Sequence, residues 1–109
     1  MGKNHHLQGA LDLLILKTLS QVGSVHGYGI AQHIQRVSEE LLRVEEGSLY
    51  PAMHRMEQVG WISSEWRTSE KNRKAKYYKL TPAGRKQLAK EKENWERVIQ
   101  GVSTLMKFA

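Results

Sequence analysis

Six basic side chains, Arg67, Lys71, Arg73, Lys74, Lys76 and Lys79, fall in a stretch that contains a single acid, Glu70. Guanidinium and ammonium groups spaced this closely do electrostatic work: they hold phosphate or carboxylate oxygens rather than perform a reaction. The stretch has a net charge of +5, against +6 for the whole 109-residue chain with its 17 Lys and Arg and 11 Asp and Glu. Most of the excess charge is therefore local, and a polyanion is the favoured partner. Taken alone, the same pattern also fits an exposed sheet edge kept soluble by lysines.

A second group precedes it. Ser48, Tyr50, Pro51, His54 and Arg55 lie, by helical spacing, opposite an apolar face of Leu49, Ala52, Met53, Met56 and Val59. Arg55 can read a guanine edge bidentately or hold a phosphate; it can equally pair with an acid such as Glu57. Tyr50 can donate to a phosphate, stack on a thymine methyl, or belong to the core. Ser48 is placed to cap the helix, with Pro51 in the first turn, where a missing N–H costs little. On the basic stretch, Lys71, Asn72, Arg73 and Lys74 are the candidate phosphate and minor-groove contacts, while Lys76 and Lys79 alternate with tyrosines on a strand.

Other chemistries find no support. There is no cysteine, hence no thiolate nucleophile, disulfide or zinc knuckle. The five histidines, His5, His6, His26, His33 and His54, lack metalloenzyme spacing, although His5 and His6 side by side can hold stray metal weakly. No phosphate loop, nucleophile elbow or paired catalytic carboxylates occur. The reading is of no enzyme, no metal and no cofactor. The longest purely apolar run, Leu13 to Leu16, is far too short to span a membrane, so a cytoplasmic protein is expected.

The positioning elements follow from periodicity. A helix is expected over Leu7–Val22, with Leu7, Leu11, Leu14, Ile15, Leu19 and Val22 on one face and Ala10, Leu13 and Leu16 on the other; such all-round apolarity calls for cover from two sides. A second helix, Tyr28–Ser38, turns Ile30, Ile34 and Val37 inward. Leu41–Glu45 reads as a short extended piece, and Leu49–Val59 as the third helix, closed by Gly60. Trp61–Arg67 and Ala75–Leu80 alternate as strands around a polar link; Trp61 and Trp66 lie on opposite strand faces, so at least one is core. Thr81-Pro82 is a strong helix start. The last helix, Pro82–Lys107, carries a seam of Leu88, Trp95, Val98, Ile99, Val102, Leu105 and Met106 that needs a partner. With Leu11 and Leu14 it predicts a homodimer.

This order is that of a winged helix-turn-helix: mostly α (α+β), with a two-stranded β wing and a long C-terminal dimerisation helix. Residues 1–80 would form the DNA-binding domain and 81–109 the dimerisation helix. In that design the third helix enters the major groove of duplex DNA and the wing follows the backbone. The stretches Gly9–Leu16, His26-Gly27-Tyr28-Gly29-Ile30, Glu46–Glu57 with its Gly-Ser-Leu-Tyr-Pro-Ala run, and Lys76–Gly84 closely resemble the PadR family of transcriptional regulators, over nearly the whole chain. The resemblance implies a bacterial, usually repressing winged-helix dimer of the short type with a single C-terminal helix, in some members released by a small aromatic effector. Trp95, an indole near the expected dimer centre, then has two readings, core residue of the seam or stacking platform for such an effector. The rival from another class is a winged-helix protein-interaction module, which the +5 hairpin disfavours because protein interface cores are depleted in charge.

Overall fold

Val25–His26, two residues with no periodicity of their own, form a strand because a neighbour supplies the pairing. In the computed structural model, which describes residues 5–108 and side chains from Ala10 onward, the order is α1 (His5–Val22), β1 (Val25–His26), α2 (Gly27–Val37), α3 (Glu46–Gln58), β2 (Ile62–Thr68), β3 (Lys74–Leu80) and α4 (Pro82–Lys107). The expectations for His5, His6 and Leu7 side chains lie outside the described residues. The sheet is antiparallel in the order β1-β3-β2. Its register runs from Ile62 opposite Leu80 to Thr68 opposite Lys74, with Val25 opposite Tyr78 and His26 opposite Tyr77 on the other side. The expected two-stranded wing thus has a third strand at its base. The extended piece lies before α2, whereas Leu41–Glu45 is irregular and unpaired.

The core is assembled from one face of each element. Ile15, Leu16 and Leu19 of α1 meet Ile30 and Ile34 of α2, Leu49, Ala52, Met53 and Met56 of α3, and Ile62 and Tyr78 of the sheet. Leu11, Leu14, Trp61 and Leu88 pack partly buried around it. Three residues expected on apolar faces are outside it. Val22 and Val37 are the last residues of α1 and α2 and Val59 is the C-cap of α3, and all three are exposed because each helix ends before its side chain turns inward. Gly60, at φ +86°, stops α3 in the left-handed conformation that costs glycine least.

At the start of α4 the sequence signal and the structure coincide. Thr81 Oγ1 accepts from Gly84 N at 3.0 Å and donates toward the carbonyls of Gly60 and Trp61, so one side chain caps α4 and ties it to the base of the sheet. From there α4 runs against α1 and continues past the fold, giving a molecule 57 × 28 × 26 Å in extent. Trp95 and Val98 are half-buried; Ile99, Val102, Leu105 and Met106 are exposed, the last two at 70% and 75%. No helix among the described residues is long and apolar enough to cross a membrane.

Candidate nucleic-acid interface

Three pieces of the fold converge on one open groove of about 470 Å³: the start of α2 (His26, Gly27, Tyr28), Tyr50 of α3, and the wing from Ser69 to Tyr78. The start of α2 is set by His26, whose Nδ1 accepts the amide of Gly29 at 3.0 Å. Its ring stacks on Tyr28 and meets Tyr77 edge-on at 5.6 Å. The imidazole therefore works as a helix cap, an arrangement that requires Nδ1 to be unprotonated.

On α3 the exposed residues Gly47, Tyr50, Pro51, His54 and Gln58 follow the spacing of a single helical stripe. The helix begins at Glu46, three residues earlier than its spacing suggests. Glu45 is the N-cap, with no side-chain bond, and Ser48 lies third in the helix, so the expected Ser48 cap is not made. Pro51 accordingly sits inside the helix rather than in its first turn. Its missing N–H leaves the Gly47 carbonyl without a helical donor, at a residue that is exposed to solvent. Tyr50, 42% exposed, brings the hydroxyl end of its ring against Gly27: a Cβ there would stand 2.7 Å from Cε1 and 2.8 Å from the hydroxyl. Gly27 is thus the seat of the Tyr50 ring.

Arg55 is committed elsewhere. Its guanidinium makes a two-pronged bond to Asp12 of α1, at 2.7 and 3.1 Å, with the carboxylate buried. The acid partner comes from a helix far away in sequence and not from Glu57. Glu57 instead accepts from Ser64 Oγ at 2.6 Å and faces Lys76 Nζ at 3.4 Å, joining α3 to both wing strands. The Ser64 bond first, and then the Lys76 charge, hold the Glu57 carboxyl below its ordinary pKa. Lys76 is therefore more than surface decoration.

The wing tip carries the free cations. Lys71, Asn72, Arg73 and Lys74 are all exposed. Asn72, at φ +59°, supplies the left-handed residue that closes the turn, together with Ser69 N to Arg73 O at 2.7 Å and Asn72 N to Ser69 O at 2.9 Å. Nearer the base, Arg67 lies 4.9 Å from the Tyr77 ring centre and donates to Glu65. Of the two strand tryptophans, Trp61 packs on the core and Trp66 is 67% exposed. Leu11, Leu14 and Leu88, assigned to a dimer seam from sequence, touch this chain's own core. Sequence reasoning passed over Gly27, His26 and Tyr28 as wall residues of the groove. Its sole pointer was the His-Gly-Tyr run, whose role needs β1 in place.

The arrangement presents a helix stripe and a cationic hairpin on either side of a groove, the layout that reads duplex DNA in winged helices. Comparison with known proteins agrees. Residues 15–90 match the transcriptional regulator PadR-like family. A transcriptional regulator of Mycobacterium tuberculosis is 36% identical over 78 residues, covering 72% of this chain and 69% of that protein. Among solved structures, a transcriptional regulator from Clostridium thermocellum superimposes with a TM-score of 0.80 at 32% identity, covering 90% of this chain and 91% of that one. A PadR-like transcriptional regulator from Bacillus cereus gives 0.76 at 31% identity, over 96% and 99%. Fold, groove and relatives lead to one conclusion: the chain belongs to the PadR-like family of transcriptional regulators and is a winged-helix, DNA-binding regulator of transcription.

Proposed function

We propose that this regulator is a cytoplasmic repressor that binds a two-fold DNA site as a homodimer. The Tyr50, Pro51 and His54 stripe of α3, flanked by Ser48, enters the major groove, and Lys71, Asn72, Arg73 and Lys74 follow the backbone or minor groove. The observation that carries this reading is an open groove lined by Tyr50 of the exposed α3 stripe and by Arg73 and Lys74 of the exposed, cationic wing tip. Residues 1–80 serve as the DNA-binding unit. Residues 81–109 serve as the dimerisation helix, with Trp95, Val98, Ile99, Val102, Leu105 and Met106 meeting a second copy. Release by a small aromatic molecule stacked near Trp95 is the regulatory half of the proposal; the half-buried indole beside an exposed apolar stripe supports it.

The test is selection of bound fragments from random duplex DNA, followed by titration of the recovered site against salt. A pseudo-palindrome with half-sites about one helical turn apart, bound with a steep salt dependence, is the expected result. Recovery of no consensus, or salt-independent binding, removes the proposal. For the effector, aromatic acids and phenols are added to the protein–DNA complex while tryptophan fluorescence is recorded; unchanged emission and unchanged affinity across the set remove that half.

A further inference from the structure

Two polar tethers hold α3 against the rest of the fold, one on each side of its exposed stripe. Arg55 and Glu57 are two positions apart, hence about 200° apart around the helix. Arg55 reaches α1 through Asp12, and Glu57 reaches the sheet through Ser64 and Lys76. The contacts beneath α3, from Leu49, Ala52, Met53 and Met56, are apolar. Apolar burial is non-directional and sets no angle by itself, whereas a two-pronged guanidinium–carboxylate pair is directional. The Asp12 side chain is 6% exposed and both its oxygens receive the same guanidinium. Glu91 of α4, held by Gln87 Nε2 at 2.7 Å, adds negative charge to the surroundings of Arg55. The Asp12 bond, reinforced by these charges, keeps the guanidinium above its ordinary pKa. The guanidinium thus stands where α1, α3 and α4 meet, with one N–H of each terminal nitrogen given to Asp12 and the side chain 35% exposed.

We infer that Arg55 is a positioning residue for DNA recognition: locked to Asp12, it fixes the roll of α3 so that Tyr50, Pro51 and His54 are presented to the DNA, and it does not itself touch DNA. This rests on reading α3 as the recognition helix, and it replaces the contact role that the residue's type and position suggest. It also assigns a function to Asp12, a buried acid of α1 that does not line the groove.

The experiment measures binding of the full chain to its selected site and to an unrelated duplex, by fluorescence anisotropy across a range of salt, for wild type, Asp12→Asn, Arg55→Gln and the double variant. Each single variant is expected to lose about tenfold or more in affinity for the selected site. Affinity for the unrelated duplex and the salt slope stay unchanged, and the double variant loses no more than either single one. A residue needed only for general stability would not alter the ratio of selected to unrelated binding in a folded protein. Arg55→Gln strands a buried carboxylate; if circular dichroism shows it unfolded, the double variant, which removes both charges, is compared with Asp12→Asn instead. The inference is overturned if Asp12→Asn, or the double variant, binds the selected site as wild type does. It is overturned equally if Arg55→Gln lowers the salt slope by about one, the mark of a lost phosphate contact. A wild type that shows no salt-dependent binding to any duplex removes the reading of α3 as well; a wild type that binds, matched by Asp12→Asn, removes this inference alone.

Discussion

At the scale of single residues, the interface depends on how few side chains are left unspent. The hydroxyl end of Tyr50 keeps its place because Gly27, beneath it, has no Cβ. Gly27→Ala should push the ring outward, with a stability cost under about 1 kcal/mol because an exposed ring can swing away. The loss in operator affinity should be close to that of Tyr50→Ala, about 1 to 3 kcal/mol for a base-edge contact. Melting curves and anisotropy on the two variants check this, and wild-type affinity in Gly27→Ala would show that the seat does not matter. Glu57 makes a second residue-scale case. Its carboxyl has a folded pKa below the usual 4.5, so its contribution to stability is fully present above that value and is lost as pH falls through the lower folded one. Thermal melts from pH 6 to pH 3 should show Glu57→Gln less stable than wild type at the upper end, with the gap closing toward the lower end. A gap that is constant with pH would mean the tie to Ser64 and Lys76 is not electrostatic.

Elements differ in how openly the sequence announces them. The bounds of α4 can be read directly, because Thr81-Pro82 is a local start signal and the apolar seam runs on without a breaker. β1 cannot be read, since two residues have no period and their strand character comes from β3, some fifty positions away. The start of α3 reads too late from sequence because a proline is cheapest in a first turn; here Pro51 lies deeper, and the carbonyl it orphans belongs to the exposed Gly47. The Asp12–Arg55 pair is invisible for a third reason: periodicity tells which face a residue is on, not which distant acid waits there. The stripe and the wing tip were legible from charge and spacing, whereas the groove between them needed the third strand. Two outcomes belong to this scale. Gly84 packs against the Trp61 carbonyl, where a Cβ would collide with backbone, so Gly84→Ala should destabilise by about 1 to 3 kcal/mol and lower the midpoint by several degrees in a thermal melt. An unchanged midpoint would show that α4 can shift without cost. On the wing, Lys71→Ala with Arg73→Ala should weaken binding to every duplex and lower the salt slope by about two units, one per phosphate contact; an unchanged slope would take the tip out of the interface.

For the whole molecule, the unfinished feature is the far half of α4. Ile99, Val102, Leu105, Met106 and Phe108 are exposed along the last turns, in an apolar run that a water-soluble helix keeps only when something covers it. The proposed partner is a second copy. Ile99→Glu with Val102→Glu should then yield a monomer by light scattering at micromolar concentration. It should still be folded by circular dichroism, because the core lies beyond these residues, and it should bind an isolated half-site while losing the two-half-site advantage. A dimer that survives both charges would place the subunit interface elsewhere.

In the proposed dimer, a helix that must find its twin before the protein can grip a full site turns concentration into a signal. With dimer formation and DNA binding in series, occupancy of the site at low protein levels rises with the square of the chain's concentration rather than in proportion to it. Each modest rise or fall in synthesis would thereby be sharpened at the DNA site. The exposed tail of α4 would give the regulator a threshold set by its own concentration, with no ligand required.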